Sequence, residues 1–366
     1  MKTIMRFFSI FIVIALLLSS SACFDAGSNS GSNPQHPASS IEPINTEADT
    51  TNPAVDECYG FSDGCLTIMN DDGFSFWEET IDAKTVSEIV IADGITRIPA
   101  FFGGKMENVK KVTLPDGIEV IESEAFEGMK SLSAVTLPKT VREIGCYAFN
   151  VNTSLSVADG SQYFKMIDGM LIDLVKESVV FSNPDIIEAM IPEGIKRIEV
   201  GAFMGRKGLV CVKMPDSMLS IGYAAFSFCT NLSTVDLNNV DIIEGNAFSS
   251  CSSLHSIKIP AGCSIICGDY EESTPVFDSL ERIIFYSPYG DVVGETALLY
   301  YCRNLEYVCF SGGIPEWFSI ERDVLPTGTI IAVLTEHAVD WAPNGETDLN
   351  GHALFICDTF EDLCGN

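Results

Sequence analysis

Basic residues are scarce in this chain: 21 Lys and Arg stand against 51 Asp and Glu, a formal net charge of −30. A surface of that sign repels phosphate backbones and anionic headgroups, which excludes nucleic acid as a partner. Histidine is rarer still, with four residues (His36, His255, His337 and His352) scattered along the chain. Despite 13 cysteines there is no C-x-x-C, so the spacing of a zinc site is absent. The longest apolar run, FFSIFIVIALLL from Phe7, is about a dozen residues, short of the roughly 20 that span a membrane as a helix. No amphipathic stretch of helical period and length occurs. The one local Cys/His pairing, Cys263 or Cys267 with His255, has no carboxylate placed to orient it. Neither the stretch 340–351 (DWAPNGETDLNG) nor 70–73 (NDDG) fits calcium-loop spacing, and turn chemistry accounts for both. No catalytic residue, metal ligand or cofactor is therefore expected.

What the chain does have is a repeated sentence. VKKVTLPDGIEVIESEAFEGMKS, starting at Val109, is followed directly by LSAVTLPKTVREIGCYAFNVNTS. Leu114 recurs as Leu137, Pro115 as Pro138, Ile121 as Ile144 and Phe126 as Phe149, at a spacing of 23. The pattern returns as IPEGIKRIEVGAF, MPDSMLSIGYAAF and LNNVDIIEGNAF, ending at Phe203, Phe226 and Phe248. A period in this range marks a solenoid, because a unit so small buries its apolar face only against stacked neighbours. Within a unit, V-x-L-P predicts a short strand with Val112 and Leu114 facing the core, and proline ends the ladder because it has no N–H. A turn, a second short strand and Ala-Phe follow, the ring filling the core where the chain turns back.

In chain order, residues 1–22 read as an export signal: Lys2 and Arg6, the apolar run, then small residues. These end in SSSAC, which resembles a bacterial lipoprotein signal and implies lipid attachment at Cys23, although Ser20 stands where that signal usually carries Leu. Residues 23–56 are rich in Ser, Asn, Pro and Gly and predict a lipidated N-terminus with a flexible linker. Residues 57–85 predict an N-terminal cap, with hairpin turns at Asp63-Gly64 and Asp72-Gly73 and Trp77 over the end of the core. Cys58 and Cys65 flank a short turn, and an exported compartment permits a disulfide between them. The solenoid is expected over 86–310, with an irregular, hairpin-bearing rung at 155–185 that keeps the stack continuous. After Gly313 the pattern stops, and 311–366 is expected to be the second cap.

The sentence L-x-x-V-x-L-P-x-x-[IV]-x-x-I-G-x-x-A-F-x-x-C resembles the BspA-type leucine-rich repeats of bacterial surface proteins. The resemblance implies a β-rich solenoid of leucine-rich repeats of about 23 residues with N- and C-terminal caps. It also implies an exported, non-enzymatic protein. The family's cysteine after Ala-Phe is present at Cys229, Cys251 and Cys302 and is replaced by Met129, Asn152 and Arg206 elsewhere. At an inward position such cysteines act as small apolar residues. The strand residues that packing does not dictate are Thr113, Thr136, Met190, Lys213, Asp236 and Lys258, with Ile284 continuing the column. Stacked rung on rung they predict a ribbon suited to a protein partner, a host matrix or bacterial surface protein, with membrane contact through the lipid only. The alternatives are a structural envelope scaffold, or a carbohydrate- or metal-binding accessory module. A glycan module calls for clustered exposed aromatics, and the ribbon has none.

Overall fold

The computed structural model describes residues 57–266, 277, 279–287, 289, 292–293, 299, 302–315, 317–318, 325–343, 345, 347–349 and 351–359. Cys23 and the expected export signal and linker lie outside them. The chain winds as a β-solenoid whose turns repeat about every 23 residues. A first ribbon is built from the V-x-L-P strands: Cys65–Ile68, Glu88–Ile91 and Lys111–Thr113 pair in parallel, as do Ala134–Leu137 with Ser154–Val157. It continues through Glu188–Met190, Cys211–Lys213 and Thr234–Asp236, then Ser256–Ile259, Arg282–Phe285 and Tyr307–Phe310. A second ribbon is built from two- and three-residue strands such as Arg97–Ile98, Val120–Ile121 and Glu143–Ile144. On its C-terminal side it runs through Arg197–Ile198, Ser220–Ile221, Ile242–Ile243 and Ser264–Ile266. Pro115, Pro192 and Pro215 follow within two residues of their strands' ends, where their missing N–H stops the ladder.

The third side of each turn is the Ala-Phe corner. Here the backbone also bonds rung to rung: Phe126 N donates to Ala148 O (2.7 Å), Phe203 N to Ala225 O (2.8 Å) and Phe226 N to Ala247 O (2.8 Å). The inward rings then inherit the strand spacing of about 4.8 Å. Phe203, Phe226, Phe248 and Phe277 stack with centroids 4.9, 5.2 and 5.6 Å apart and planes within 16°. That geometry suits offset aromatic stacking, worth about 0.5–1.5 kcal/mol per pair beyond burial. Between the ribbons, hydroxyls knit successive turns together. Thr140 Oγ1 accepts from Gly117 N and donates to Ile118 O, and Ser217 does the same for Gly194 and Ile195 one half further on.

At the N-terminal end, Tyr59–Ser62 and Cys65–Ile68 form an antiparallel hairpin about Asp63-Gly64. Trp77 is buried and meets Phe102 edge-on, closing the core. Asp72-Gly73 departs from the expected hairpin: it opens a short helix, Gly73–Phe76, whose first residue lies so close to Cys58 O that only glycine fits. Cys58 and Cys65 are not bridged to one another. Met69 N donates to Cys58 O while Cys65 faces Ser62, so four strand residues, about 14 Å, separate them. A bridge tolerates no more than about 7 Å between Cα atoms.

The irregular rung is a meander of Phe164–Ile167, Met170–Asp173 and Ser178–Ser182, so the expected hairpin is there. It does more than prolong the stack: it divides the core. All four side chains of Met170–Asp173 are buried, so both faces of that strand are covered. Leu171 and Phe181 belong to the N-terminal core, Met170, Ile172 and Val179 to the C-terminal one. Three polar clamps seal the joint. Asn183 pairs with both backbone groups of Leu155, standing in for a strand. Ser182 Oγ donates to Ala202 O. Arg206, in the position usually held by cysteine, is 1% exposed and lies over the Phe181 ring. Its Nε donates to Ser182 O (2.8 Å) and Oγ (2.9 Å), and its Nη1 to Val151 O (2.6 Å) and Met204 O (3.3 Å). Burial brings its pKa down to about 10, which leaves it protonated at neutral pH.

The first ribbon does not stop at Gly313. Ile330–Leu334 pairs in parallel with Tyr307–Phe310, and His352–Cys357 pairs with Ile330–Leu334, each at the same 23-residue step (Tyr307 to Ile330, Ile331 to Leu354). The expected C-terminal cap thus contains two further rungs whose sequence has lost the L-P and A-F signature. Phe310, Phe318 and Trp341 close this end, with Trp341 Nε1 donating to Gly312 O.

Replacing Arg206 by Met keeps most of the volume and removes every donor. At about 1–3 kcal/mol per orphaned carbonyl, offset by relief of guanidinium desolvation, the expected loss is about 2–4 kcal/mol. Arg206→Lys recovers less than half of it, because an ammonium cannot fork between Val151 and Ser182. Urea midpoints of the two variants check both values.

Candidate functional site

The outward side of the first ribbon presents two parallel ladders of side chains, because alternate strand residues point away from the core. One ladder holds Thr113, Thr136, Met190, Lys213, Asp236 and Lys258, and all six are exposed. Their register is fixed by backbone pairing: Met190 lies beside Lys213, and Lys213 beside Asp236. The second holds Glu88, Lys111, Ala134, Glu188, Cys211, Thr234 and Ser256. Thr136 and Ser156 join their hydroxyls at 2.9 Å. In the N-terminal half, cross-rung ion pairs use up charge: Lys111 with Glu88, Lys130 with Glu107 and Arg142 with Glu119.

Ile284 continues the column in register with Lys258, as expected, but it is 1% exposed. Ile284, Cys309, Ala332 and Cys357 form a separate buried apolar cluster on the outer face, flanked by Tyr286, Tyr307 and Leu334. The open ribbon therefore ends at Lys258. Sequence alternation gave the side of the sheet correctly and could not show that this side is covered again. Arg282, stacked on the Tyr307 ring at 4.6 Å, stands at the border.

The cysteine column is inward. Cys229 Sγ donates to Phe203 O (3.0 Å), Cys251 Sγ to Phe226 O (3.2 Å) and Cys302 Sγ to Phe277 O (3.0 Å). Each thiol thus caps the carbonyl of the preceding rung's phenylalanine, a role beyond apolar filling. Burial pushes the Cys229 thiol up to about 12, far from thiolate reactivity. Cys263 is likewise pushed up to about 12 by burial, and His255 is occupied by Glu281 on the next rung at 3.2 Å. Glu281 is a carboxylate beside His255 that the sequence spacing did not bring out. Cys267 lies outside the described residues. A cavity of about 10 Å³ beside Cys263, Tyr289 and Trp317 has room for one water.

The Ala-Phe corner carries a feature the sequence reading missed. The residue two before the inward position is left-handed on successive turns: Phe101 (φ 61°), Glu124 (58°), Tyr147 (54°), Gly201 (65°), Ala224 (52°) and Asn246 (57°). Phe228 (62°) and Ser250 (59°), two after their phenylalanines, repeat this on the other flank. Non-glycine residues rarely adopt this region, and bulky ones least. The signal available in the sequence was the pair of glycines flanking Ala202 to Met204, which mark the two positions. The Tyr147 ring lies over Gly201, where any side chain would collide with it. Asn246 Nδ2 donates to Tyr223 Oη at 2.6 Å. Glu244 accepts from Tyr223 N at 3.0 Å. Burial raises the pKa of Glu244, with Glu199 adding to the rise and the Tyr223 N–H and Arg197 opposing it.

The model describing the BspA type leucine rich repeat region matches residues 79–171 and 177–306 in six copies. Among curated proteins none matches. Among solved structures, the pneumococcal vaccine antigen PcpA aligns with TM-score 0.60 at 19% identity, over 75% of this chain and 68% of that one. A leucine rich cell surface protein from Faecalibacterium prausnitzii aligns with TM-score 0.55 at 26% identity, over 67% of this chain. This chain spans 63% of that protein's length. No helix among the described residues is long and apolar enough to cross a membrane.

Because the folded-state pKa of Glu244 is raised, its contribution to stability is present below the ordinary glutamate value and is lost as pH rises through the raised one. Glu244→Gln keeps an acceptor for Tyr223 N without the charge. It is expected to melt higher than the native chain at pH 7 and to coincide with it at pH 4. Thermal melts at the two pH values decide this.

Proposed function

The chain belongs to the BspA-type leucine-rich repeat family, and we propose from its geometry that it binds another protein at the bacterial cell surface without catalysis. The observation that carries this reading is the open ribbon from Thr113 to Lys258. It is an exposed surface on which Met190, Lys213 and Asp236 are held in register by the backbone, with Thr, Met, Lys and Asp in place of the residues packing would choose. Solenoid faces of this kind offer extended contact to a partner. The buried, protonated thiols support a non-catalytic reading. Surface location is supported by the cell-surface protein it resembles at 26% identity, and attachment by lipid at Cys23 is part of the proposal. The partner is a host matrix or bacterial surface protein.

Two experiments test this. Protease treatment of intact cells is expected to remove the native chain, while Cys23→Ser is released to the medium. Protection until the envelope is broken sinks the surface reading and favours a structural scaffold. Coaggregation of expressing cells is expected to fall at least tenfold with Met190→Asp combined with Lys213→Glu, at unchanged melting temperature. Full retention of coaggregation by that double variant removes the ribbon from the proposal.

A further inference from the structure

Lys and Arg stand at four places on the described strands of the first ribbon, and they are not treated alike. Lys111 is taken by Glu88 on the next rung, and Arg282 lies over the Tyr307 ring. Lys213 and Lys258 are exposed in one column, two rungs apart, and neither ammonium has an ion pair or a hydrogen bond among the described residues. Asp236 stands between them in that column, but its Oδ1 accepts from Asn238 N at 3.2 Å and closes a turn. In a chain of net charge −30, two free cations on the exposed face form a local exception to the acidic surface.

The same rungs expose aliphatic side chains. Met190 is 51% exposed and pairs in register with Lys213. Ile187 and Val210, 62% and 41% exposed, open these two rungs at the leading margin of the ribbon, where Val210 N donates to Ile187 O. From Met190 to Lys258 is three rungs, about 14 Å, the length of about four residues of extended chain. Exposed methionine is a residue that protein interfaces favour. An ammonium with no partner of its own takes an incoming carboxylate without first giving one up. A basic segment would meet like charge at both lysines and find Asp236 already engaged. Glu188, beside Cys211 in the second ladder, is the carboxylate that opposes an anion here.

On the reading of the ribbon as the protein-binding face, on which this rests, we infer that its partner contributes an extended acidic segment laid along the column. An apolar side chain of that segment covers Met190 and the Ile187–Val210 margin, and its carboxylates pair with Lys213 and Lys258. Two surface ion pairs at the upper end of the usual range together amount to about tenfold in affinity.

The test is fluorescence anisotropy of the full chain with a labelled peptide of alternating Leu and Glu, against Leu-Gln and Leu-Lys peptides of the same length. The Leu-Glu peptide is expected to bind at least tenfold tighter than either control. Lys213→Gln combined with Lys258→Gln should weaken it about tenfold, and Ile187→Ser combined with Met190→Ser at least fivefold, while Glu188→Gln tightens it. Lys176→Gln combined with Lys207→Gln, an equal change of charge on exposed lysines away from the ribbon, should leave it within twofold. The proposal is overturned if the Leu-Glu peptide does not bind, if the Leu-Lys peptide binds better, or if both lysine pairs cost the same. Self-association of the native chain that the Lys213 and Lys258 substitutions abolish would place a second copy on the site and overturn it too. Coaggregation separates this outcome from failure of the underlying reading. If the peptide fails while Met190→Asp with Lys213→Glu still lowers coaggregation, the ribbon binds protein of another chemistry and the acidic segment alone is lost. If the peptide binds as expected while coaggregation is unaffected, the acidic-segment site stands and the role in coaggregation falls.

Discussion

Everything in this molecule depends on one distance, the interval of about 4.8 Å at which backbone N–H and C=O groups on successive turns find each other. It is enforced on three sides: at the two ribbons and at the Ala-Phe corner, where Phe226 N reaches Ala247 O. Once the backbone repeats at that interval, the side chains must as well. Phenylalanine suits the inward corner because its ring tolerates stacking at that spacing, and the ring planes align to within 4° between Phe226 and Phe248. The thiols of the following residues then fall within reach of carbonyls one rung back. The outward ribbon is the same constraint seen from the solvent side.

Where the period fails, the backbone groups still need partners, and the chain meets that need with polar side chains. A buried guanidinium without a carboxylate is costly in general. Arg206 is tolerated because four oxygens converge on it and because Phe181 covers its face. Asn183 solves the same problem for Leu155 with a side-chain amide shaped like the peptide group it replaces. The joint between the two cores thus adds polar clamps to the buried apolar side chains of Met170, Leu171 and Ile172.

The repeat, its period and its strands were legible because Leu114, Pro115, Ile121 and Phe126 recur at fixed spacing, and each residue type has one physical role. The exposed column was legible from strand alternation as far as Lys258. Beyond it, alternation gave the side for Ile284 but not its burial in the cluster with Cys309, Ala332 and Cys357, whose strands lie far along the sequence. The two C-terminal rungs escaped notice because backbone pairing needs no particular side chain: Ile330–Leu334 joins the ribbon without proline or Ala-Phe. The separation of Cys58 from Cys65 depends on hairpin register, which the cysteine spacing alone does not contain. Left-handed backbone at Tyr147 and Phe228 was hidden for the same reason, as only the glycines of a single rung betray it.

The clamps at the joint touch main-chain oxygens and amides almost exclusively. Residues 151 and 204 can therefore change identity across descendants of this gene without disturbing Arg206, provided each keeps its carbonyl in place. Insertion or deletion of a single residue between 183 and 204 has the opposite effect, because it shifts Arg206 relative to the Val151 and Ser182 oxygens. The joint is thus intolerant of changes in length, the reverse of an ordinary surface loop.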